Sequence, residues 1–111
     1  MLTILEKARA ILALPEHWCQ QSYARSSTGE KLSDVTDPTA CSWCMLGAVE
    51  KIEDSFSVVR QVGHHLEQAA RALGYRVNRI IDFNDSHTHQ EVLRVFDKAI
   101  ENERTRISQE G

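Results

Sequence analysis

PTACSWCMLGAVEKIE, residues 38–53, is the stretch on which the fold turns. Asp37-Pro38 is a good helix start, since an Asp side chain can accept from free first-turn amides and Pro has no N–H to leave unpaired there. From Pro38 to about Glu53, helical spacing puts Cys41, Cys44, Met45, Ala48, Val49 and Ile52 on one face. Ala40, Trp43, Leu46 and Gly47 fall on the other faces and are apolar or small. A helix with so little polar surface is expected at the centre of a domain, contacted from several sides.

Three further amphipathic stripes surround it. Thr3 and Glu6 have capping-box spacing, and Ile4, Leu5, Ala8, Ile11 and Leu12 follow on one face, so a first helix is expected from about Thr3 to Leu14, ending at Pro15. Between His17 and Asp37 the periodicity is lost, and a Ser-Thr-Gly turn separates two short runs, which predicts an ordered loop or small β-hairpin. Asp54 or Ser55 can cap a third helix, along which Phe56, Val59, Gly63, Leu66, Ala70 and Leu73 form the buried stripe and which Gly74 ends. Tyr75, Val77, Ile81 and Phe83 alternate as in a short extended connector. Thr88 and Glu91 make a second capping box before Val92, Leu93, Phe96, Ala99 and Ile100. The expected architecture is therefore a mainly α, four-helix single domain over residues 1–105, with a frayed tail at 106–111.

Composition bounds the function classes. At 111 residues the chain suffices for one core, and 41% hydrophobic with 26% charged residues is the balance of a soluble globular protein. No window approaches the roughly 18 consecutive apolar residues of a membrane span, and the N-terminus reads as a helix of the fold, not a signal peptide, so cytoplasmic residence is expected. Three cysteines, an odd number, argue for reduced thiols over a disulfide framework. A net charge of -3 gives no general attraction to nucleic acid.

The polar residues available for chemistry cluster in FNDSHTHQEV, residues 83–92, and in the Cys41-Ser-Trp-Cys44 spacing. Asn84 and Asp85 are turn formers, Thr88 and Glu91 are read as the cap, His89 shares the face of Val92 and Phe96, and His87 is the residue least explained. The cysteine pair has the spacing of redox and zinc sites, but a thioredoxin-like site needs a parallel strand before it and zinc needs two further ligands. Cys41, Cys44, His87 and His89 form the alternative metal set, while the stripe periodicity favours buried structural thiols and no bound cofactor. Cys44 as nucleophile, His89 as base and Asn84 or Asp85 as orienter would reproduce the logic of a cysteine hydrolase. No phosphate cradle, nucleotide fingerprint or paired catalytic carboxylates appear, so a non-enzymatic role is favoured.

With these motifs in view, the sequence resembles a family of small bacterial and phage proteins known only as a domain of unknown function. The residues that carry the resemblance are Trp18, then Cys44, Gly47 and Ala48 in CMLGA, then Phe83-Asn84-Asp85, Thr88, Glu91-Val92-Leu93 and Ala99-Ile100. The turn in this chain, SHTH, is shorter than that family's and lacks its Arg before the Thr. The resemblance implies one domain and assigns no chemistry.

Two functions are expected on these grounds. The first is a protein-interaction module, of the phage or mobile-element accessory kind, that acts as an inhibitor by occupying a partner protein's surface. Its candidate contacts are Trp18, Tyr23, Trp43, Asn84, Asp85 and His87, with Leu46 as a further apolar group. The alternative is nucleic-acid binding through Arg60, His64, Arg71, Arg76 and Arg79 along the third helix and its connector, although Glu67 interrupts that face. The partner's identity and any homo-oligomerisation are left open by the sequence.

Overall fold

A computed structural model describes residues 1–110. Its elements in chain order are α1 (Leu2–Leu12), a 3-10 turn at Pro15–His17, β1 (Ala24–Ser26), β2 (Lys31–Leu32), β3 (Ala40–Trp43), α2 (Met45–Ile52), α3 (Phe56–Ala72), α4 (Ile80–Ser86) and α5 (His89–Glu110). The protein is mainly helical, as expected, but the described residues form five α-helices and a three-stranded antiparallel sheet of order β2-β1-β3. Among the described residues no helix is long and apolar enough to cross a membrane.

The stretch 38–53 is divided between sheet and helix. Asp37 does accept from a backbone amide, but from Thr39 N at 2.8 Å and from the Thr39 hydroxyl at 2.7 Å, which closes a local turn and starts no helix. Beyond it Cys41, Ser42 and Trp43 have modest helix propensity, and pairing with β1 (Ala24 opposite Trp43, Arg25 opposite Ser42) holds them extended. The Trp43 indole is buried and donates to Val35 O at 2.9 Å. Helix α2 begins only after Cys44, whose extended backbone (φ -80, ψ 176) and sulfur, accepting from Gly47 N at 3.2 Å, make it the N-cap. The expectation of a central helix holds for this shorter α2, which packs against α1, α3, α4 and β3.

Other expectations are corrected. The Thr3–Glu6 capping box does not form: α1 starts at Leu2 with no side-chain cap, and Glu6 instead accepts from Arg104 at 3.0 Å. The connector expected to be extended contains α4, because Ile80, Phe83 and Asn84 have the i, i+3, i+4 spacing that buries one helical face. Its first amide, Ile80 N, donates to Glu67 Oε2 at 2.9 Å. Other expectations hold, including the Ser55 cap on Val58 N and Gly74 in the left-handed conformation at φ 98 that ends α3. The Thr88–Glu91 box forms in both directions, with Thr88 N donating to Glu91 at 2.9 Å and Glu91 N donating to Thr88 Oγ1 at 3.2 Å. Helix α5 continues to Glu110 across the segment expected to fray, while Gly111 lies outside the described residues.

One core joins these elements. Leu5, Leu12, Met45, Val62, Leu66, Val92 and Phe96 are fully buried within it. Phe56, expected on the buried stripe of α3, is instead 79% exposed, because it is the first residue of that helix and no element covers it.

Candidate functional site

Two residues singled out in the sequence, Trp18 and Asp85, converge on one buried amide, that of Asn84. Asn84 has no solvent exposure. Its Oδ1 accepts from Trp18 Nε1 at 2.8 Å and Met45 N at 3.0 Å, and its Nδ2 donates to Cys19 O at 3.0 Å and Asp85 Oδ1 at 3.2 Å. Every bonding capacity of that side chain is used, which is how a fully buried amide is tolerated. Asp85 Oδ1 also accepts from Gln21 N at 2.8 Å, and Gln20 donates to Asn84 O and His87 O, both at 3.0 Å. The loop before β1, the start of α2 and the end of α4 are thereby tied together. Gln21 takes a positive φ of 64, rare for a side chain with a Cβ, within this tether. Next to the junction, the backbone just before β1 meets α2 so closely that a Cβ on Gly47 would lie 2.1 Å from Tyr23 O, which only glycine permits.

These contacts revise the expected binding set. Asn84 and Trp43 are interior groups, and Trp18, half-buried, is committed to Asn84 and to a tilted ring contact with His89 at 5.7 Å. His87 stacks on Phe83 at 3.8 Å between ring centres, meets Tyr75 edge-on at 5.1 Å, and bonds through Nδ1 to Phe83 O at 2.9 Å. Of that set, Tyr23 alone is exposed.

The hydrolase and metal alternatives lose their geometry. Burial pushes the Cys44 thiol up to about 12, so at neutral pH it is protonated, and its sulfur is engaged as the α2 cap. The proposed base, His89, bonds through Nε2 to Leu12 O at 2.6 Å. Cys41 lies on a strand and not on the helical stripe, and its thiol donates to Arg25 O at 3.6 Å. Cys41, Cys44, His87 and His89 are thus separately occupied, and among the described residues no three His, Cys, Asp or Glu side chains are placed to hold one ion.

A groove of about 280 Å³ runs between α2, α3 and α4, with Leu46, Phe56, Gly63, Ile80 and Ile81 as its apolar lining. Arg60, His64, Glu67 and Arg79 supply its polar lining. Glu67 is engaged locally, accepting from Ile80 N and bonding His64 Nδ1 at 3.1 Å. Arg60 and Arg79 form no ion pair among the described residues. Ile81 also lines a second hollow of about 260 Å³ with Tyr23, Cys44 and Asp85, so the two hollows adjoin at this residue. Of the basic residues expected to bind nucleic acid, Arg60, His64 and Arg79 gather here. Arg71 turns away, donating to Val77 O at 2.8 Å, and Arg76 is exposed outside the groove.

Sequence reasoning did not find this groove. Phe56 fits the core stripe arithmetically, and Ile80 and Ile81 were hidden by the extended reading of their segment.

A family described as of unknown function, DUF6197, matches residues 1–102. The chain belongs to that family. No curated protein and no solved structure gives a significant match. The residues by which the chain resembles a family of this kind have structural work in it. Trp18 and Asn84 bond each other, Cys44 and Gly47 form the start of α2, and Thr88 and Glu91 cap α5.

Proposed function

We propose that the protein is a non-enzymatic interaction module that docks a partner protein in the groove between α2, α3 and α4. The observation that carries this reading is Phe56, an aromatic side chain 79% exposed beside an apolar groove edged by Arg60 and Arg79, which form no ion pair among the described residues. Covering such a ring gains about 1.5–3 kcal/mol, and aromatic and arginine anchors around an apolar centre are the residues on which interfaces concentrate their energy. The fitting occupant is a segment with a bulky apolar side chain flanked by carboxylates, the first meeting Leu46 and Ile81 and the second Arg60 and Arg79. A role as an accessory or inhibitor that covers a partner's surface accords with this arrangement. Phosphate backbones fit less well, since Glu67 lies in the groove and Asp34, Glu50, Glu53 and Asp54 crowd the far side of Phe56.

Selection from a random displayed-peptide library on the immobilised protein tests the reading. Enriched peptides are expected to carry Asp or Glu beside Phe, Leu or Trp, and to lose roughly tenfold or more in affinity against Arg60→Ala/Arg79→Ala or Phe56→Ala. Peptides indifferent to these substitutions, or tight binding of random duplex at this face, would overturn it.

A further inference from the structure

Phe56 borders two hollows of opposite character. On one side lies the groove with Arg60, His64 and Arg79. On the other, a hollow of about 270 Å³ is lined by Asp34, Glu50, Glu53 and Asp54 with Val35 and Val59. The surface thus changes the sign of its charge across a line on which its most exposed large apolar side chain stands. Such a surface is complementary to itself. A twofold axis lying along that line brings the positive half of one copy over the negative half of the other, twice, with the two aromatic rings at the centre. The same segment meets the description of the groove's ligand, because Glu53 and Asp54 lie just before Phe56 in sequence.

We propose that a second copy of this chain covers the groove, in a symmetric pair centred on Phe56 with Arg60 and Arg79 of each copy facing Glu53 and Asp54 of the other. The inference rests on reading the groove as a protein-docking site, and it makes self-pairing and partner binding compete. Glu53 already accepts from Ser55 N at 2.9 Å and Asp54 is exposed, so carboxylate charge is held at the rim where the pair needs it.

Sedimentation velocity of the full chain over a wide concentration range tests this. The expected result is a reversible doubling of mass that weakens as salt rises. Arg60→Glu/Arg79→Glu and Glu53→Lys/Asp54→Lys are each expected to weaken pairing at least about tenfold alone. An equimolar mixture of the two should restore a mixed pair, because each reversed half then meets an opposite one. Restoration also shows that both variants are folded. Phe56→Ala, which removes an exposed ring, provides a variant independent of the charges and should lower pairing similarly. A wild type that stays monomeric, with library peptides still binding the groove, overturns the second copy as occupant and leaves the docking site standing. A pair that survives both charge reversals or Phe56→Ala lies on another face and also overturns the proposal. Loss of peptide selection with pairing intact would instead remove the hetero-partner.

Discussion

Asn84 shows how much one side chain can organise. It looks like a turn former in sequence, yet it accepts from an indole on the loop before β1 and from the first amide of α2 while donating to Cys19 O. Asn84→Ala would leave a buried donor, Met45 N, and a half-buried one, Trp18 Nε1, without acceptors. Each such orphan costs about 1–3 kcal/mol, so a total loss on the order of 3 to 5 kcal/mol is expected in a urea melt. Asn84→Asp would keep the acceptor but lose the donor to Cys19 O and bury a charge, so it should rescue little. The thiols follow the same logic of burial. Cys44, held up to about 12 and covered by its neighbours, is expected to resist alkylation at pH 8 in the native protein and to react on unfolding. Rapid native labelling at Cys44, read by peptide mass, would reopen the nucleophile reading.

At the level of elements, several local signals hold in the structure, while the Thr3–Glu6 box and the Asp37-Pro38 helix start do not. The Ser55 cap, the Gly74 stop and the Thr88–Glu91 box depend on neighbours a few residues away. The strand Ala40–Trp43 depends on β1, some sixteen residues back, and helical spacing at Cys41 and Cys44 concealed it. α4 was missed for a related reason: Glu67, on another helix, satisfies its first amide, so no capping residue marks its start in sequence. The α5 entrance offers a clean test. Thr88→Ala should cost about 0.5–2 kcal/mol. Glu91 is held below the ordinary glutamate value of 4.5, first by the Thr88 backbone amide and then by the Tyr75 hydroxyl. Its folded value being depressed, its contribution is full above 4.5 and is lost as pH falls through the lowered value. Thermal melts between neutral pH and acid should therefore show a smaller acid-side loss for Glu91→Gln than for wild type. Parallel curves for the two would remove the cap from the acid response.

Across the whole molecule the interior and the surface were unequally legible. Apolar periodicity reports which residues are buried, and it anticipated most of the helical core. It says nothing of which face remains uncovered, so Phe56 was assigned inward and the groove beside it went unseen. The same distinction bears on where the fold ends. Glu103 is 2% exposed on α5 and held below the usual carboxylate range by Arg106. It lies one position past the family match at residue 102, on the helix that packs against α1 and α3. Beyond Arg106 the described side chains, Ile107 to Gln109, are all exposed. A chain ending at Arg106 should thus melt within about 0.5 kcal/mol of the full chain, as surface changes do. One ending at Asn102 removes a buried, ion-paired carboxylate together with its partner, and it should melt lower. Equal melting of the two truncations would mean that Glu103 is only a passenger and that the domain closes at residue 102.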